Sequence, residues 1–278
     1  MSLTSNATPS QTVRKPLRQP PRNVTVFVLL AFLAVITLFY AEVIFFGHTL
    51  VPVQIGRSVL PSGPYGFPGA VQPEKFRQDV GASTWKIVPG ASKVGDAIAS
   101  HHFPLWNEHE GFGFPLLADM QSGALDPLRL LVDLSNTTVA WDIYYIARSF
   151  LGLAAAYAFG RLVKLDAAPS FAFSVAYVFS GHFMIYGNNH WVEIYFLLPV
   201  ILIGTELVVL GRTRAGVAVT AVSVALSILG GMPEVTLFVF LLAAPYGLFR
   251  ILSVTREAAD QRFGATRLGQ LVLAWLIG

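Results

Sequence analysis

The stretch VTVFVLLAFLAVITLFYAEVIFF, residues 24–46, decides the fold class of this chain. It carries one charged side chain, Glu42, and a helix needs about 20 mostly apolar residues to cross the hydrocarbon core of a bilayer. The stretch is too long for the apolar part of a secretory signal peptide, and no cleavage site of small residues follows it. It therefore predicts a membrane anchor that stays in the protein.

The rest of the chain has the same apolar character. Hydrophobic residues make up 54% of the 278 residues and charged residues only 13%, whereas soluble domains carry about 25% charged residues. We predict an all-α integral membrane protein, a polytopic helical bundle whose residues 24–278 form one membrane domain. Its further spans are predicted at residues 139–163, 169–186, 191–210, 215–230, 233–252 and from about 268.

Basic residues set the predicted orientation. Residues 1–23 are polar, rich in proline and basic, and we predict that they form a disordered cytoplasmic tail. With this tail inside, the positive-inside rule is also met by the other basic segments, which contain Arg161, Lys164, Arg212, Arg214, Arg250, Arg256, Arg262 and Arg267. The long loop 47–138 is then predicted to be extracytoplasmic.

The loop is expected to contain short interfacial helices, because its residues 74–102 carry weak amphipathic patterns. It ends in FPLWNEHEGFGFPLLADMQSGALDPL, residues 103–128, where Asp126 is predicted to cap a short helix that starts at Pro127. Three polar groups in the loop and the turn that follows the third span, Asn107, His190 and Glu193, are candidate ligand contacts. Asn107 could instead terminate a helix. Trp106 is a candidate platform for a sugar or a prenyl chain, and its alternative role is that of an aromatic residue at the membrane interface.

Composition also excludes several kinds of site. The chain has no cysteine, which excludes disulfides, thiolate nucleophiles and cysteine metal ligands. Its net charge of +3 gives little support to nucleic-acid binding. The last predicted span is incomplete at Gly278, so we expect the sequence to be a piece of a longer protein.

The order of motifs resembles a known family. An aspartate early in the loop, Asp79, is followed by FPLWNEHEGFGFPLLADMQSGALDPLRLL (103–131), SGHFMIYGNNHWVEIYFLLPVILIGTEL (180–207) and LGGMPEVTLFVFLL (229–242). Over about residues 24–278 this arrangement is similar to the N-terminal portion of YfhO-like bacterial membrane proteins, which belong to the GT-C class of glycosyltransferases.

The resemblance implies an enzyme of the bacterial plasma membrane. It would transfer a sugar from a polyprenyl-phosphate donor to an acceptor of the cell envelope, a glycopolymer or lipid, on the outer face of the membrane. By position, Asp79 would be the catalytic base that takes the proton of the acceptor hydroxyl. His190 matches a histidine that this family tends to have.

The same reaction needs a cation near the phosphate that leaves with the lipid. We predict that Arg148 supplies it, because a charge deep in a span is costly and usually functional. The alternative is an ion pair of Arg148 with Glu42, Glu193 or Glu234. If a metal is used, Mg²⁺ or Mn²⁺ would suit oxygen ligands from Asp79 and Asp119, although the sequence shows no fixed metal-binding spacing and a reaction without a metal is equally open.

Two other classes of function stay open. A lipid or solute transporter or flippase would explain the spans and Arg148, but it would not need so long an outer loop. A non-catalytic membrane subunit is the third possibility.

Overall fold

The computed structural model describes residues 22–51, 83–258 and 261–278. The predicted cytoplasmic tail up to residue 21 and the loop residues 52–82, which include Asp79, lie outside this part of the chain. Within it the secondary structure is helical, and extended pairing is limited to one isolated bridge between Asn107 and Phe114. The all-α prediction is therefore confirmed for the described residues.

Eleven α-helices follow one another in the described chain. They are α1 (Arg22–Phe39), α2 (Ala41–Phe46), α3 (Val88–Ala99), α4 (Leu130–Ser135), α5 (Thr138–Leu162), α6 (Ala167–Val178), α7 (Gly181–Ile185), α8 (Val192–Val209), α9 (Thr213–Leu229), α10 (Pro233–Ala258) and α11 (Gln261–Ile277). A π-helical turn, Ser83–Ile87, leads into α3, and two short 3₁₀ turns, Met120–Ser122 and Pro127–Arg129, precede α4.

Two predicted spans are interrupted. The first is divided at Tyr40 into α1 and α2, and the third is divided at Phe179–Ser180 into α6 and the short α7. The predicted second and fourth to sixth spans coincide with α5, α8, α9 and α10 apart from their ends. The last helix, α11, starts seven residues before the predicted position of about 268.

Helix α8 lies at the centre of the bundle and packs against α5, α9, α10 and α11. One apolar core joins α1 to α5, α6, α7 and α8 around the fully buried Phe32 and Leu153. Another joins α8, α9 and α10 around Ile201 and Val239. The apolar residues of α8 are buried on several sides for this reason.

The two ends of the bundle differ in chemistry. One end, here called the basic end, joins the connections after α5, α8 and α10. There Arg267 donates to Thr213 at 2.5 Å, and Glu206 accepts from Arg250 at 2.9 Å and from Tyr246 at 2.6 Å. The opposite end, here called the loop end, carries residues 83–135, the turn 187–190 and the turn 230–232.

The long loop is packed into the bundle at the loop end. Ile87, Ala91 and Val132 are buried there against Trp141 and Tyr145 of α5. Asp142 binds the start of the loop, because its Oδ1 accepts from the Leu50 amide at 2.8 Å and from the Thr49 hydroxyl at 3.0 Å. As predicted, Asp126 caps the turn that precedes α4 by accepting from the Leu128 amide at 2.9 Å.

Two helices in the described chain, Val192–Val209 and Pro233–Arg256, are long and apolar enough to cross a membrane. Shorter apolar helices cover Val24–Phe39, Ala167–Val178, Thr213–Leu229 and Gly264–Ile277. The side chains of α10 face outward along much of the helix, with Leu237, Phe238, Leu241 and Leu242 more than half exposed. Such a surface suits contact with lipid rather than water.

Candidate functional site

A cavity of about 240 Å³ opens at the loop end; it is here called the polar cavity because Lys86, Gln121, Asn189 and His190 are among its lining residues. The π-helical turn, the turn before α8 and the turn before α10 each contribute to its wall. Its lining residues are Lys86, Ile87, Gln121, Asn189, His190, Trp191 and Met232. Several of these side chains are polar but shielded from solvent, as is typical of ligand sites.

His190 is the best-shielded ionisable group of this wall. Its side chain is 2% exposed, and neither ring nitrogen has a hydrogen-bond partner within the described residues. Burial, aided by the charges of Arg129 and Arg148, lowers the pKa of the His190 imidazole well below its usual range. The ring is therefore neutral near pH 7 and offers one donor and one acceptor.

Asn189 adds an amide to the same wall. It is fully buried, and neither its amide nitrogen nor its amide oxygen finds a partner in the part of the chain that the structure describes. Buried polar groups without partners cost about 1–3 kcal/mol each. Asn189 and His190 thus have hydrogen-bonding capacity that the described residues do not use.

Arg148 does not line the cavity; it holds the turn that does. One guanidinium nitrogen donates to the carbonyl of Asn189 at 2.6 Å and to that of His190 at 3.3 Å, and the other donates to the carbonyl of Gly187. Its guanidinium also lies over the ring of Tyr145, 4.6 Å from the centroid. The guanidinium of Arg148, which the sequence places deep in a span, thus donates hydrogen bonds to the backbone of the turn 187–190.

No ion pair joins Arg148 to Glu42, Glu193 or Glu234 among the described residues, so the ion-pair alternative is not observed there. The role of Arg148 at the phosphate stays a prediction. Glu42 instead pairs with His48 at 3.1 Å, on the surface.

Glu193 lies behind His190 in the first turn of α8. It is 3% exposed and accepts from the hydroxyl of Tyr144. This contact joins α8 to α5. Glu193 thus supports the cavity from behind and is not among its lining residues.

Ser83 attaches the start of the π-helical turn to the same region. Its hydroxyl donates to the carbonyl of Asn188 at 3.0 Å, and Tyr145 donates to the same carbonyl at 2.8 Å. The loop therefore reaches the cavity four residues after Asp79, whose own position is outside the described residues.

The predicted platform residues lie elsewhere in the loop. Trp106 is 60% exposed and rests against Gly113, where any side chain would meet its ring. Asn107 accepts from the His109 amide at 3.1 Å and donates to Glu110 at 3.3 Å, so its side chain stabilises a local turn. Neither residue lines the cavity. Their predicted role in substrate binding stays a prediction.

Asp119, a predicted metal ligand, is paired with Lys86, whose ammonium lies 3.0 Å from its Oδ2. The described residues contain no group of three or more histidine, aspartate or glutamate side chains arranged to hold a metal ion. The observed partner of Asp119 is thus a lysine.

A second cavity of about 150 Å³ lies beside the first and is apolar. Its wall contains Leu117, Met120, Ala124, Leu125, Ile228, Leu229 and Gly231. Met120 and Gln121 stand side by side on the two walls, as do Gly231 and Met232, so the cavities are neighbours. Gly231 has a positive φ of 78°, and a Cβ there would lie 2.0 Å from the Met120 carbonyl oxygen, so this close approach requires glycine.

Asp133 should make the stability of the loop end depend on pH. Burial raises the pKa of the Asp133 carboxyl to about 6, against the opposing charge of Arg129. The folded protein then keeps a proton that the unfolded chain loses above pH 3.8, so the free energy of unfolding falls as pH rises from about 4 to 6.

The fall is on the order of 3 kcal/mol, since each pKa unit corresponds to about 1.4 kcal/mol. Asp133→Asn should remove it. The measurement is the melting temperature between pH 4 and pH 7, with Asp96→Asn as the control because the side chain of Asp96 is 64% exposed. An Asp133→Asn variant with the same pH profile as the wild type would contradict this prediction.

Of the lining residues, sequence reasoning selected His190 and did not select Lys86, Gln121 or Asn189. The sequence does not mark Asn189, because asparagines are common in turns. Lys86 had no motif to mark it. No protein-family model, curated protein or solved structure matches this chain.

Proposed function

We propose that this chain functions as a multi-pass glycosyltransferase of the bacterial plasma membrane. It would take a sugar from a polyprenyl-phosphate donor and transfer it to an envelope glycopolymer or lipid at the loop end. The observation that carries this proposal is the polar cavity with His190 and Asn189 buried in its wall and without partners in the described chain.

The chemistry of the wall supports a sugar phosphate as ligand. A neutral imidazole and an amide supply donors and acceptors to hydroxyl groups, and Trp191 supplies an aromatic face. Buried polar groups discriminate strongly between ligands, because a ligand without matching donors and acceptors leaves these groups unpaired.

The neighbouring apolar cavity supports a donor attached to a lipid. A polar head in the first cavity would have apolar space beside it, lined by Leu117, Met120 and Ile228. A ligand that is polar throughout would gain nothing from these residues. An isoprenoid chain next to its phosphate would bury apolar surface there.

The distribution of charge supports an outward-facing loop end. The connections at the basic end carry the arginines and lysines predicted to be cytoplasmic, and the polar cavity lies at the other end of the bundle. In this orientation the apolar helices α1, α6, α8, α9, α10 and α11 cross the membrane together with α5.

The test is sugar transfer by the complete protein in membrane vesicles supplied with a radiolabelled polyprenyl-phosphate sugar. His190→Ala should lower kcat/KM by about 10- to 100-fold, since a hydrogen bond to a charged group is worth about 1.5–3 kcal/mol. His102→Ala is the control, because His102 is exposed in the same loop.

Absence of transfer by the wild type, together with movement of the lipid across the bilayer, would replace this proposal with the flippase alternative. Equal transfer by wild type and His190→Ala would show that the cavity is not the donor site.

A further inference from the structure

The polar cavity contains a cation that sequence reasoning did not select. Lys86 is the charged residue of its lining, in the part of the chain that the structure describes. Its side chain is 31% exposed, and its ammonium is held 3.0 Å from Asp119 and 4.8 Å from the ring centroid of Phe114. The lysine is therefore positioned at the cavity by two contacts from the loop.

The pairing of Lys86 with Asp119 is one that a ligand can replace. Both side chains keep some contact with solvent, at 31% and 15% exposure, and ion pairs in such positions contribute about 0–1 kcal/mol. An anion with more charge, or with more oxygen atoms facing the cavity, would compete with the carboxylate for the ammonium.

Two buried arginines place positive charge near this wall. Arg129 and Arg148 are buried behind the turn, and their positive charges act on His190 across the wall. Burial is the main cause of the lowered pKa of His190, and the two arginine charges add to it; the same two charges would attract a negative ligand. The neutral His190 ring and the Asn189 amide each then have a donor for an oxygen atom of that ligand.

We propose that Lys86, His190 and Asn189 bind a phosphate group, and that the phosphate takes the ammonium of Lys86 away from Asp119. The anion site follows from the contacts of the cavity, whereas the lipid carried by the phosphate rests on the proposed function. Lys86 thereby replaces Arg148 as the cation that faces the phosphate.

The two partners of the ion pair should have opposite effects on binding. We expect Lys86→Ala to weaken the binding of phosphate at least 10-fold, because a charge-assisted hydrogen bond is lost. Asp119→Asn should strengthen it severalfold, because Lys86 no longer has a competing carboxylate. Lys86→Arg should bind phosphate more tightly than Lys86→Ala, since it keeps the positive charge.

The measurement is equilibrium binding to the complete protein in lipid nanodiscs, first of radiolabelled inorganic phosphate and then of polyprenyl phosphate incorporated in the nanodisc lipid. Lys93→Ala is the matched control, because Lys93 pairs with Asp96 at 3.1 Å on the neighbouring helix α3 and does not line the cavity. Melting temperatures of all variants check that they fold.

Equal binding by the wild type and Lys86→Ala would overturn the inference. The inference would also be overturned if Asp119→Asn weakened phosphate binding as much as Lys86→Ala does. Both substitutions would weaken binding in this way if the ion pair only stabilised the structure.

The two probes separate the inference from the proposed function. If inorganic phosphate shows the expected pattern and polyprenyl phosphate does not bind, the anion site stands and the lipid donor is wrong. If Lys86→Ala transfers sugar with unchanged KM for the donor, the anion site is wrong and the enzyme stands.

Discussion

Arg148→Ala is expected to destabilise the protein by more than about 3 kcal/mol and to abolish sugar transfer. The guanidinium donates to the carbonyls of Gly187, Asn189 and His190, all in one turn. Without it, the buried carbonyls lose their partner, at about 1–3 kcal/mol for each group. The stacking of the guanidinium on Tyr145 is lost as well.

The measurement is thermal unfolding of the complete protein in detergent, followed by near-ultraviolet circular dichroism. Arg161→Ala is the matched control in the same helix, because Arg161 donates to one carbonyl, that of Leu165, at 2.6 Å near the basic end. It should cost less than about 1.5 kcal/mol. Arg148→Lys should lie between the two, since one ammonium cannot reproduce the planar fork of a guanidinium.

This experiment separates two roles of Arg148. A residue that faces the phosphate would, when replaced, leave the melting temperature unchanged and weaken phosphate binding. A residue that holds the turn lowers the melting temperature first and removes His190 and Asn189 from the cavity as a consequence. A normal melting temperature in Arg148→Ala would contradict the positioning role.

The helices were predictable because hydrophobic runs in this sequence are long and basic residues punctuate them. The interruptions at Tyr40 and Phe179 were not predicted, because the apolar sequence resumes soon after Glu42 in the first span and after His182 in the third. At Tyr40 the backbone leaves helical geometry while the side chain donates or accepts a hydrogen bond with Ser149, at 2.8 Å. Contacts between distant helices of this kind leave no local signal.

The candidate site was predictable only in part, for a related reason. A histidine in a short polar turn between apolar segments is conspicuous, so His190 was selected. Arg148 is also conspicuous in the sequence. Its role could not be predicted, because its partners are backbone carbonyls, which every residue carries. The position of Lys86 at the cavity could not be predicted, because it depends on how the loop packs against the turn 187–190. Its ion pair with Asp119 likewise joins distant parts of the loop.

Among variants expected to stay folded, the loss of activity should be largest for Asp79→Asn, at about 10²- to 10⁴-fold in kcat, the range that a general base contributes. The assignment of Asp79 as base is implied by the family resemblance, through the position of this aspartate early in the loop, and it stays a prediction. The described chain resumes at Ser83, which contacts Asn188 beside the cavity, so the loop enters the site shortly after this aspartate. Asparagine keeps the size of the side chain and cannot accept the proton.

The kinetic pattern distinguishes a base from a binding group. Asp79→Asn should lower kcat with little change in KM for the donor, whereas His190→Ala and Lys86→Ala should act mainly on donor KM, because they remove contacts to the bound ligand. Asp96→Asn is the control, since its exposed carboxylate pairs only with Lys93 among the described residues. Full transfer by Asp79→Asn at normal protein levels would show that another group takes the acceptor proton.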